Sequence, residues 1–170
     1  INHVDTAHGY QNGRNEEMVG QAVKTVKRDA VVLATKVPPP GDGDAARRKA
    51  RYLDMLDISL RRLATDYVDI LYLHNLSSRA GVFDEAMLEV AAGIKQSGKA
   101  RFIGVSTHSN EPEVIRAAKD SGVFDVVLTA YNFRQDHRQE VRKAIVEAAG
   151  AGLGIVAMKT QAGVYWDRER

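Results

Sequence analysis

Tyr67-Val68-Asp69-Ile70-Leu71-Tyr72-Leu73-His74 is the stretch that decides the fold. It is short, rich in branched aliphatic residues, and does not alternate apolar with polar. That pattern is expected of a strand covered on both faces in a parallel sheet. Working outward, the same kind of run recurs at His3–Asp5, Ala30–Lys36, Ala100–Ser106, Val123–Tyr131 and Gly152–Lys159. Helical patterns lie between the runs. Val19, Ala22, Val23 and Val26 are spaced to share one face of a first helix. Leu53, Leu56, Leu60 and Leu63 paint the stripe of a second. A third is expected over Phe83–Ser97. A fourth starts at Ser109 or Asn110 with Pro112 in its first turn, and a fifth runs from Asp136 to Ala149 and stops at Gly150 and Gly152.

Strand and helix alternate throughout, so the fold class is parallel α/β. Two architectures compete. A doubly wound nucleotide-binding sheet wants a glycine-rich turn after its first strand, and Gly9-Tyr10-Gln11-Asn12-Gly13 lacks that spacing. A (β/α)8 TIM barrel gathers its chemistry from the ends of several strands, which is the pattern here. The expectation is one barrel domain over 1–170 with about six βα units, since a whole barrel takes about 250 residues. The chain begins at Ile1 without a Met, and a barrel lacking its front unit and its last strand and helix is expected. Pro38-Pro39-Pro40-Gly41-Asp42-Gly43 reads as a site loop rather than a linker because it follows Lys36 directly.

Composition narrows the function. Lys and Arg number 24 against 22 Asp and Glu, a net charge of +2, so no basic surface for nucleic acid is indicated. Arg47, Arg48, Lys49 and Arg51 read as a solvated helix face. The chain has no cysteine, which removes disulfides, thiolate metal sites and thiol nucleophiles. No apolar run approaches the roughly 20 residues of a membrane helix. No histidine pair has the spacing of a helical metal site, so no metal is expected, and His3, His8, His108 and His137 read as loop or strand-end residues.

Asp5, Lys36 and His74 end three of the strand runs, and Tyr10 lies in the loop just after Asp5. A carboxylate, an ammonium, an imidazole and a phenol on one rim of a parallel sheet make an acid–base site. Singly each has a plainer reading, as a loop cap, a solvated strand end, a bonded core histidine or a packing ring.

These residues resemble the aldo-keto reductase family. Asp5-Thr6-Ala7-His8-Gly9-Tyr10 with Asn15-Glu16-Glu17 and Gly20 is similar to its first signature, and Ala34-Thr35-Lys36-Val37 to its second. Ser59-Leu60-Arg61-Arg62-Leu63 with Asp66–His74 resembles a third, and Lys99 through Gly104-Val105-Ser106 a fourth. The resemblance covers essentially the whole chain. It implies an NAD(P)H-dependent oxidoreductase that reduces small aldehydes or ketones, with Tyr10 as general acid, Lys36 lowering its pKa, Asp5 anchoring Lys36 and His74 orienting the substrate oxygen. It implies cofactor contacts from Ser106, Thr107, Met158, Lys159 and Thr160, with NADP expected and NAD open. Thr107 stands where the family usually has asparagine, Leu128 where it often has glutamine, and Met158 where it often has a tyrosine. Cytoplasmic localisation is expected, and no protein partner is indicated. Alternatives are a catalytically weak cofactor-binding module, a structural fragment, or a barrel enzyme using Lys36 as a Schiff-base nucleophile.

Overall fold

The structure is a computed structural model, and it describes residues 2–161. Six strands alternate with helices: β1 (His3–Asp5), α1 (Arg14–Val23), β2 (Val32–Val37), α2 (Ala45–Leu63), β3 (Val68–Leu73), α3 (Arg79–Val82), α4 (Glu85–Gln96), β4 (Ala100–Thr107), α5 (Glu111–Ser121), β5 (Val126–Ala130), α6 (Arg138–Gly150) and β6 (Gly154–Met158). The strands form one sheet in the order β1-β2-β3-β4-β5-β6. Spatial order following chain order is the winding of a β/α barrel; a doubly wound sheet shuffles it. Contacts divide the chain into two compact units, Ile1–His74 with Asp84–Gly104, and Asn75–Phe83 with Val105–Arg170, the division falling inside β4.

In the first unit β1, β2 and β3 pair in parallel, with Asp5 beside Ala34 and Lys36 beside Tyr72. Side chains alternate between faces of a strand. One face carries Leu33, Thr35, Val37, Asp69, Leu71 and Leu73. The other carries Ala34, Lys36, Ile70 and Tyr72, and nearly all of these residues are buried. Thr35 bonds Glu16 of α1, which identifies the first set as the helix-covered face. At the upstream end of β3, buried Asp69 accepts from Arg28, Arg101 and the Leu33 amide at 2.8 to 2.9 Å, and the Tyr67 ring lies under both guanidinium groups. These contacts tie β2, β3 and β4 together at the end of the sheet opposite the downstream strand ends.

Two helix expectations need correction. Val19 is half-buried and Ala22 and Val26 are exposed, because α1 packs on α2 through Glu16, Gly20 and Val23 and ends before Val26. On α2 the buried stripe is Tyr52, Leu56, Ser59, Leu60 and Leu63, whereas Leu53 is largely outside it. The expected third helix, Phe83–Ser97, is α4, whose N-cap Asp84 accepts from the Met87 amide; the short α3 precedes it and was not expected. The basic cluster on α2 is only partly free: Arg48 pairs with Asp84, and Lys49 with Glu89 at 2.6 Å.

The second unit pairs β5 with β6 in parallel, Ala130 beside Met158. Helix α5 packs on α3 and α6. Its first residue, Glu111, is buried and accepts from Gln135 and meets His137, each at 2.9 Å.

Candidate active site

The first unit brings Asp5, Tyr10, Lys36 and His74 together. β2 turns Lys36 away from the helices, and its side chain is only 1% exposed. A buried ammonium needs acceptors. Lys36 Nζ donates to Asp5 Oδ2 at 2.5 Å and to the Thr6 carbonyl at 2.6 Å. Tyr10 reaches over this pair: Lys36 Nζ lies 5.1 Å from its ring centroid, and the His74 ring meets it edge-on at 6.1 Å. Tyr10 is 41% exposed, so its ring is open to an incoming molecule.

Backbone bonds hold the loop that carries Tyr10. The Thr6 amide donates to Ala34 O, the His8 amide to Lys36 O, and the Tyr10 amide to Ala7 O, at 2.9 to 3.1 Å. Behind it, Arg62 donates to the His8 carbonyl and to the fully buried Glu16, whose other oxygen accepts from Thr35 at 2.7 Å. His8 bonds Ser59 through Nδ1 at 3.0 Å, and burial pushes its pKa below the usual value. Gln11 and Asn12 directly after Tyr10 have φ of 50° and 55°. Consecutive left-handed non-glycine residues store strain and are characteristic of functional loops.

The electrostatics run opposite to expectation at one point. The Tyr10 pKa is raised, first by burial and then by the Asp5 charge. The Lys36 ammonium, turned to Asp5 and Thr6, does not reverse that rise. The Lys36 pKa is itself lowered by burial, with Asp5 acting against that loss. At neutral pH the free site therefore holds Tyr10 as a phenol.

The cofactor candidates lie in the second unit. Ser106 is buried and its Oγ accepts from the Asn75 amide at 2.9 Å, leaving its own hydrogen to donate. Thr107 is buried too, but its hydroxyl donates to Ser109 O at 2.8 Å, closing a local turn. Met158 ends β6, half-buried, and Lys159 and Thr160 are exposed beyond it, Lys159 with φ of 55°. Leu128 is buried within β5.

The sequence model of the aldo/keto reductase family matches residues 1–168. The chain belongs to that family. An aldo-keto reductase of Bacillus subtilis, YhdN, is 38% identical over 112 residues, covering 64% of this chain and 33% of the relative. The Bacillus subtilis oxidoreductase YqkF is 35% identical over 134 residues, 75% of this chain and 42% of its own. Among solved structures, an aldo-keto reductase of Klebsiella pneumoniae in complex with NADPH superposes with a TM-score of 0.78 at 29% identity, over 98% of this chain and 56% of its own. The holo form of one from Bacillus halodurans gives 0.75 at 31% identity, over 92% and 52%. The chain thus spans under half the length of these curated relatives, and its fold is the (β/α)8 barrel of the family, in part.

Glu16, Arg62 and Tyr72 lie around this candidate site, and the sequence did not single them out. Glu16 and Arg62 stand within the quoted signatures, but nothing in their spacing distinguishes a buried ion pair from solvated helix faces. Among the described residues, no group of three or more His, Cys, Asp or Glu side chains is placed to hold a metal ion.

Proposed function

We propose that this chain carries the proton-handling residues of an NAD(P)H-dependent reductase of small aldehydes or ketones. The observation that carries this reading is the buried Lys36, clamped between Asp5 and the Thr6 carbonyl, under an accessible Tyr10 flanked by His74. Reduction of a carbonyl leaves negative charge on its oxygen, and a phenol kept protonated is the donor that oxygen needs. Tyr10 gives the proton. The phenolate left behind is stabilised by the Lys36 charge beneath it, which becomes a stronger partner as the phenolate forms. Asp5 keeps Lys36 charged in its buried seat. His74, at the ring edge, orients the substrate oxygen.

The donor set of the second unit suits a nicotinamide dinucleotide. Ser106 keeps a hydroxyl hydrogen for an amide oxygen, Met158 offers an apolar thioether surface, and the exposed Lys159 and Thr160 offer a cation and a donor for phosphate. Thr107 fits less well, since its hydroxyl is already used. When bound, the reduced cofactor supplies the hydride received by the carbonyl carbon. NADP is the proposed form, supported by the Klebsiella pneumoniae structures in complex with NADP and with NADPH.

Tyr10→Phe tests the assignment in the protein as its gene encodes it. The ring and its packing stay, and only the proton donor goes. Steady-state reduction of an aldehyde panel should fall by about a hundred- to ten-thousand-fold in kcat, with circular dichroism and NADPH binding unchanged. A turnover equal to that of the unaltered protein removes Tyr10 from the mechanism.

A further inference from the structure

Tyr72 takes no part in the chemistry above, yet it lies on the site face. It sits beside Lys36 in the β2–β3 register, two residues before His74 on the same face of the chain. It is fully buried, and its hydroxyl has no hydrogen-bond partner in the structure. A buried phenol of this kind is costly unless something uses it. Burial and the Asp5 charge both hold it protonated, so it remains a donor throughout the neutral range.

The nearby acceptor is Asp5, whose charge reaches the Tyr72 hydroxyl. Its Oδ2 takes Lys36, whereas Oδ1 accepts no hydrogen bond among the described residues. We propose that Tyr72 is a positioning residue of the site, its hydroxyl hydrogen donated to one enclosed water that in turn donates to Oδ1 of Asp5. The proposal rests on the reductase reading for its meaning but not for its test. Donation draws negative charge from Asp5, and Asp5 is what opposes ionisation of Tyr10 after burial itself. Tyr72 therefore makes Tyr10 a stronger acid without touching it.

The groups facing this cluster are few. β1 contributes Asp5, β2 Lys36, β3 Tyr72 with His74 at its end, and the loop Tyr10. On β4, Arg101 pairs with Asp69 on the helix-covered face, so alternation leaves Phe102 and Gly104, which do not titrate, on the other. Removing the Tyr72 hydroxyl should thus act on Tyr10 through Asp5 alone.

The experiment is a spectroscopic titration of phenolate formation in the free protein, comparing the unaltered chain, Tyr72→Phe and Tyr10→Phe. Tyr10 is assigned from the signal lost in Tyr10→Phe, in both backgrounds. Its midpoint should rise by about half a pH unit in Tyr72→Phe, and the rise should vanish in an Asp5→Asn background. An unchanged or lowered midpoint overturns the proposal, as does a rise that survives Asp5→Asn. Tyr72→Met, which also lacks the hydroxyl, replaces Tyr72→Phe if circular dichroism shows the latter misfolded. The titration needs no turnover, so a chain inactive as a reductase still decides it. In an active protein, reduction should hold its rate to correspondingly higher pH in Tyr72→Phe, because the general acid stays protonated further.

Discussion

Asp5 acts on its two neighbours in ways that look opposed. It holds Lys36 charged against burial, and it resists the ionisation of Tyr10. Asp5→Asn removes both influences, and the two pKa values should fall together. For a general acid that must be protonated, a lower Tyr10 pKa moves the alkaline decline of reduction to lower pH. Loss of the Lys36 proton at lower pH acts in the same direction. A pH–rate profile of Asp5→Asn should therefore decline about one unit earlier than that of the unaltered protein; a decline at the same pH or later would show that Asp5 is only a tether. Location at strand ends was legible in the sequence for Asp5, Lys36 and His74, because the apolar runs stop there. The sign of the effect on Tyr10 was not, because it follows first from burial of the ring and then from the Asp5 charge, and only the folded chain produces that burial.

Between elements, the tightest constraint is the seat of α1 on α2. A Cβ placed on Gly20 would lie 2.4 Å from the Arg62 carbonyl oxygen and within 2.9 Å of Leu63 backbone atoms. Backbone cannot yield as a flexible side chain does, so Gly20→Ala should push α1 outward. The helix carries Glu16, whose bonds to Arg62 and Thr35 brace the loop bearing Tyr10. We expect a loss of about 1–3 kcal/mol in denaturant-derived stability, the size typical of overpacking. Wild-type stability would mean that α1 sits further from α2 than the structure has it. Periodicity marked α2 and its general stripe but chose Leu53, where Tyr52 is buried. Spacing of three and four residues fits either edge of a face. The sequence places the start of α4 two residues early, at Phe83, since the Asp84 cap differs from an exposed helical carboxylate only in its partners.

For the molecule as a whole, the strand order was readable because short unbroken apolar runs alternating with helices have few parallel solutions. Burial on both faces was not uniform, however. β2 and β3 are almost wholly buried, whereas β1 and β6 end the described sheet and are at best half-buried. A terminal strand presents unpaired amide and carbonyl groups that can template pairing with another chain. β6 lacks the charges and prolines that blunt such edges: it reads Gly154-Ile155-Val156-Ala157-Met158, with Gly154 and Ala157 exposed. The 170-residue polypeptide should therefore self-associate, its sedimentation coefficient rising with concentration. Ala157→Lys places a charge on an exposed position of that strand without disturbing its pairing to Thr129 of β5. The substitution should shift the sedimentation profile toward the monomer. A profile that is already concentration-independent would show the β6 edge to be covered, and an association untouched by Ala157→Lys would move the contact to β1 or to a helix face.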